Sequence, residues 1–128
     1  MMRTFIALLV QAVLAGTALA QGAGASMEPA ALADGTQKAL VQQYCDKDGR
    51  FMRCLGVDIK KDAARCADLV RGNWVFCRRT FMMTAPASIP ASDARGYTDN
   101  LADCLRSGAI AAAGKSAGAV DQCMAGAR

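Results

Sequence analysis

The sequence predicts an all-α protein, a small disulfide-stapled bundle of four to five short helices. Three observations lead there. Apolar residues recur at three- and four-residue steps, and no stretch of useful length alternates with the period of two that a strand requires. The 128-residue chain holds six cysteines and no histidine. Residues that cap or stop helices fall between the apolar stretches.

Residues 1–20 read as a signal peptide. Arg3 supplies a positive start, Phe5 to Leu14 is an apolar run broken only by Gln11, and Gly16-Thr17-Ala18-Leu19-Ala20 offers the small residues a signal peptidase reads. Cleavage is expected after Ala20. Roughly ten to fifteen apolar residues are too few to cross a ~30 Å hydrocarbon core, so no transmembrane anchor is expected. Residues 21–35 contain Gly22, Gly24 and Pro29 and read as a flexible leader. Residues 36–128 then form a single helical disulfide domain.

The first helix is expected from Asp34 or Thr36, with Leu40, Val41, Tyr44 and Cys45 on one face. "DKDG", Asp46 to Gly49, is expected to stop it, with Gly49 taking the left-handed conformation that ends helices. A short helix follows from Arg50 to Leu55 and stops near Gly56. The longest helix is expected to start at Asp58 or Lys60. Its stripe of Ala63, Cys66, Val70, Trp74, Cys77 and Phe81 falls within about 80° at 100° per residue, widened by Leu69 and Phe76. Pro86 and Pro90 mark a loop. Ser92 or Asp93 caps the next helix, whose apolar face is Ala94, Tyr97, Leu101, Cys104 and Leu105. Ala109 to Gly118 carries a turn, and a last helix sets Ala117, Val120, Cys123, Met124 and Ala127 on one side.

All six cysteines, Cys45, Cys54, Cys66, Cys77, Cys104 and Cys123, follow the signal segment. An even number behind an export signal implies a disulfide framework. Zinc sites group their soft ligands closely. Here no Cys-x-x-Cys pair exists, so neither a metal site nor a thioredoxin-like redox site is expected. Cys66 and Cys77 would lie ~16 Å apart along one unbroken helix and cannot bond each other. An antiparallel hairpin broken at "DKDG" would pair Cys54 with Cys66 and Cys45 with Cys77, leaving Cys104 for Cys123. This ladder resembles, in general design, the twin-cysteine helical hairpins of small mitochondrial intermembrane-space proteins. The resemblance covers Cys45 to Cys77, with uneven arms of 8 and 10 intervening residues, and implies no function here.

Other constellations are weak. The "YCDKDGRFMRCL" stretch carries the Asp-x-Asp-Gly of calcium loops, yet Tyr44 and Leu55 occupy the first and twelfth ligand positions, where oxygen donors belong. Without histidine, Ser-His-Asp and Cys-His catalysis are excluded. Met52, Met82, Met83 and Met124 read as core filling or a hydrophobic rim before copper ligands. No catalytic residue, cofactor or metal ligand is assigned. Charge is uneven: ten basic residues against five acidic between Lys38 and Arg79, and four against four from Thr80 onward. Arg71, Arg78 and Arg79, near Trp74, form the candidate partner surface, since Arg and Trp are favoured at interface cores. Trp74 itself falls on the inner face, as a core anchor.

The expectation is a non-enzymatic binding module, periplasmic or secreted, that holds another envelope or secreted protein. An inhibitor or immunity protein is its concrete form. The alternative is a secreted effector or basic protein acting at an anionic membrane surface. Nucleic acid is not an expected partner.

Overall fold

Helix α1, Pro29–Gln42, begins earlier than the periodicity suggests. Pro29 sits in its first turn, where its fixed φ suits a helix and its missing N–H costs nothing. The computed structural model describes residues 25–126, so the signal segment and Ala127 lie outside the described residues. The expected leader is thus largely structured in its described part. Ser26–Met27 forms strand β1, which pairs antiparallel with β2, Ile89–Pro90. Ala33 of α1 is fully buried.

The chain does break at "DKDG", by a different device from the one expected. α1 runs into a single π-helical turn, Gln43–Lys47, and ends at Asp48 in extended backbone. Gly49 keeps a negative φ of −76°. The Asp48 carboxylate accepts bonds from the backbone N–H of Arg50 and from its guanidinium, at 3.1–3.2 Å. These bonds hold the Asp48 carboxyl below its ordinary pKa and raise that of Arg50.

Left-handed glycine appears one helix later. α2, Arg50–Cys54, is closed by Gly56 at φ 84°. The N–H of Gly56 bonds the Arg53 carbonyl and that of Val57 bonds the Met52 carbonyl. Val57 and Met52, at the two positions where apolar side chains commonly accompany this cap, are both buried.

The expected long helix is two helices. α3 spans Ala63–Arg71, with the Asp62 carboxylate accepting from Arg65 N at 3.2 Å as an N-cap. α4 spans Trp74–Thr84. Gly72 weakens the helix between them, and Asn73 leaves helical geometry at φ −114°, ψ 21°. The break resets the phase of the apolar stripe. Cys66, Leu69, Val70, Cys77 and Phe81 are buried as expected. Ala63 is exposed, and Phe76, expected to widen the inner face, points outward instead.

α5, Ala94–Ala112, outlasts its expected end because Ala109 and Ile110 are core residues. A second left-handed glycine, Gly114 at φ 70°, makes the turn. α6, Ala117–Gly126, follows, with the Ser116 hydroxyl accepting from Ala119 N. Its apolar face is mostly solvent-facing: Val120 is buried, Met124 half-buried, and Ala117 and Cys123 exposed.

Among the described residues the result is an all-α bundle of five helices of nine or more residues plus the single turn of α2. α5 packs against α1, α3 and α4, while α6 lies across α2 and the end of α5. Phe51, Met52, Val70, Ile89, Leu101, Leu105 and Val120 fill the centre. Fully burying such side chains is worth about 1.5–3 kcal/mol each.

All six cysteines are bonded, in none of the expected pairs. Cys45 bonds Cys66, Cys54 bonds Cys123 and Cys77 bonds Cys104, with Cα–Cα distances of 5.8, 5.7 and 5.8 Å. The expected ladder of Cys54–Cys66 and Cys45–Cys77 requires one straight helix beside the first arm. With the helix broken at Gly72–Asn73, Cys66 reaches the π-helical turn, while Cys77 faces α5. Cys104 is thereby taken, and Cys123 meets Cys54 where α6 crosses α2. The likeness to twin-cysteine hairpins therefore ends at the cysteine spacing.

Three disulfides suggest an oxidising, extracytoplasmic compartment. Among the described residues no helix is long and apolar enough to cross a membrane.

Candidate functional site

α4 has a buried side and an apolar exposed side. Cys77 and Phe81 turn inward, Phe81 meeting Tyr97 of α5 edge-on at 6.0 Å. Opposite them, at 100° per residue, Val75, Arg79, Met82 and Met83 fall within about 100° of one another, with Phe76 at the border. Met83 is 79% exposed, Val75 71% and Phe76 59%. Lone exposed apolar residues are ordinary. A cluster of them on one helix is the kind of feature that marks contact surfaces.

Two of the three candidate arginines belong to this face. Arg78 and Arg79 line a shallow groove of about 550 Å³ with Trp74, Val75, Met82 and Met83. Arg78 is steered by α1, its Nε donating to Asp34 Oδ1 at 3.5 Å. Arg79 has no ion-pair partner among the described residues, and α4 itself carries no acidic residue. Arg71 ends α3 and is exposed, but does not line the groove. Trp74 is half-buried and packs on the core, so it spans the two environments.

The arginines, Trp74 and a hydrophobic rim at Met82 and Met83 were legible in the sequence, whereas the exposed Val75 and Phe76 were not picked out. Val75 was the readable signal, since it lies opposite the Cys77–Phe81 side of any helix through this stretch. Phe76 lies about 100° from Cys77 and about 140° from Phe81 on the same helix, so its exposure follows from their burial.

Elsewhere, several titratable groups are engaged within the fold. Asp48, the acid that most invited a calcium reading, is occupied by Arg50. Tyr44 packs on Phe51 at 4.6 Å between ring centroids, and the Arg106 guanidinium sits 5.3 Å from the Phe51 ring. Burial raises the Tyr44 pKa above 10.0, partly offset by the Arg106 charge. Among the described residues no three Cys, Asp or Glu side chains converge as a metal site would need, and every cysteine sulfur is in a disulfide. Met52 is buried in the core while Met82 and Met83 are exposed on α4, so the thioethers do not share one site.

No protein-family model matches the chain, and the searches of curated proteins and of solved structures likewise return no significant match.

Proposed function

We propose that this is a periplasmic or secreted, non-enzymatic binding module, and that the outward face of α4 is its contact surface for another exported protein. The observation that carries the reading is the ring of exposed Val75, Phe76, Met82 and Met83 around Arg79. Arg, Met and aromatic side chains are the residues enriched in interface cores. One disulfide fixes the helix beneath the ring, with Cys77 of α4 bonded to Cys104 of α5. A preorganised surface loses little conformational entropy on binding.

Charge complementarity defines the partner's chemistry. It presents at least one carboxylate set among apolar side chains, placed to meet Arg79 and, at the edge, Arg78. A second copy of this chain does not fit, because a symmetric α4 contact would bring arginines against arginines. An anionic lipid surface fits less well. Arg79 sits in the middle of the apolar face, where insertion would draw its charge toward the acyl region. An inhibitor or immunity protein acting on an exported toxin or hydrolase is the concrete form of the reading.

The test uses oxidised wild type and R79E immobilised side by side in envelope extract. A partner retained by wild type and lost by R79E supports the reading. Equal retention by both contradicts it. Stronger binding to anionic than to zwitterionic vesicles, abolished by R79E, would favour the membrane alternative.

A further inference from the structure

The three disulfides are not equivalent in their surroundings. Cys45 and Cys66 are both buried, and Cys77 is buried with Cys104 half-buried. Cys54 is half-buried and Cys123 is exposed. Thiol–disulfide exchange proceeds by in-line attack of a thiolate on a sulfur, so its rate follows access. The accessible bridge also has the most to release. It ties α6 to α2 across a separation of 69 residues, and α6 buries only Val120 among its own side chains. Met124 is half-buried against the core, and the exposed Arg106–Asp121 ion pair at 3.1 Å is worth about 0–1 kcal/mol at a surface.

We infer that the Cys54–Cys123 disulfide is a thiol–disulfide exchange site whose reaction partner is a reduced dithiol. The dithiol's thiolate attacks Sγ of Cys123, forming a mixed disulfide and expelling the Cys54 thiolate, which takes up a proton. The dithiol's second thiolate then attacks the mixed disulfide at the dithiol's own sulfur and releases Cys123 as a thiol. Two electrons pass to the protein bridge, two free cysteines result, and the dithiol becomes a disulfide. α6 is then held by buried Val120, half-buried Met124 and one surface ion pair. Its departure uncovers the side of α2 that it lies across, where Cys54 sits. Cys45–Cys66 and Cys77–Cys104 stay closed and keep α1, α3, α4 and α5 together.

The experiment exposes the oxidised, full-length exported protein to limiting dithiothreitol, traps thiols by alkylation at timed intervals and maps the labelled peptides. Cys54 and Cys123 are expected to label together, at least ten-fold faster than the other four cysteines. Earlier labelling of any of those four, or simultaneous labelling of all six, overturns the assignment. Amide hydrogen exchange of the singly opened species gives a second reading. Residues 117–126 should lose protection at least ten-fold while residues 66–70 and 101–105 keep theirs. Unchanged protection of 117–126 overturns the release of α6. The C54S/C123S double variant must reproduce the exchange pattern of the opened species without reductant, and a pattern like that of the closed protein contradicts the inference.

Discussion

Gly108 on α5 lies directly against Asn73 at the break between α3 and α4: a β-carbon at position 108 would stand 2.5 Å from the Asn73 Cβ. That distance is far inside van der Waals contact, and the atom in the way belongs to a short side chain next to the backbone. The break and α5 are therefore fitted to each other. Gly108→Ala is expected to cost about 1–3 kcal/mol by overpacking, even though alanine is the better helix former. Urea unfolding under oxidising conditions measures it. A neutral or stabilising result would mean that the two helices are not in close register there.

The Asp62 cap starts α3 and so sets where Cys66 falls. Asp62→Ala removes the acceptor for Arg65 N and is expected to cost about 1 kcal/mol. Loss of stability in thermal unfolding, with the disulfides intact, is the readout. Asp62→Asn should retain most of it.

Asp48 makes a pH-dependent contribution whose sign is fixed. Its carboxyl titrates below the ordinary 3.8 because Arg50 bonds the charged form. Its stabilising effect is therefore present above pH ~3.8 and is lost as pH falls through the lower folded value. Asp48→Asn is expected to flatten the acid limb of the stability curve below pH ~4 and to leave its shape at higher pH unchanged. An acid limb identical to that of wild type would show that the Asp48–Arg50 contact is not kept in solution.

The outward face of α4 is expected to separate binding from stability. Val75 is 71% exposed and Met83 79% exposed. Replacing either with Asp should change unfolding stability by less than about 0.5 kcal/mol, as surface substitutions do. The same change should weaken partner binding by about 2 kcal/mol or more, roughly thirty-fold, if the residue is central to the interface. Calorimetry of the captured pair measures the second quantity. A large loss of stability with binding intact would show that this face packs on something within the fold.

The helical class was legible because its cause is local. The stripes through Leu40 and Cys45, through Cys66 and Val70, and through Leu101 and Leu105 can be read from residue spacing, and these residues are buried. So was the stop near Gly56, which depends on six neighbouring residues. The cysteine partners were not legible, because they depend on the packing of distant elements. Whether Cys77 shares a neighbour with Cys66 is decided at Gly72–Asn73, and that break is fitted to Gly108, far along the chain. Phe76, expected at the edge of the core stripe, is exposed because Cys77 and Phe81 of the same helix take the buried side. The arginines of α4 could be picked out by composition. Their apolar setting required knowing which side of the helix the core takes.

The most direct measurement is the disulfide map of the natively exported protein, by proteolysis and mass spectrometry without reduction. The expected peptides join Cys45 to Cys66, Cys54 to Cys123 and Cys77 to Cys104. A linked Cys54–Cys66 or Cys45–Cys77 peptide would restore the unbroken hairpin and with it an α4 turned to face the core differently. Six free thiols in a protein that still unfolds cooperatively would contradict the stapled bundle altogether.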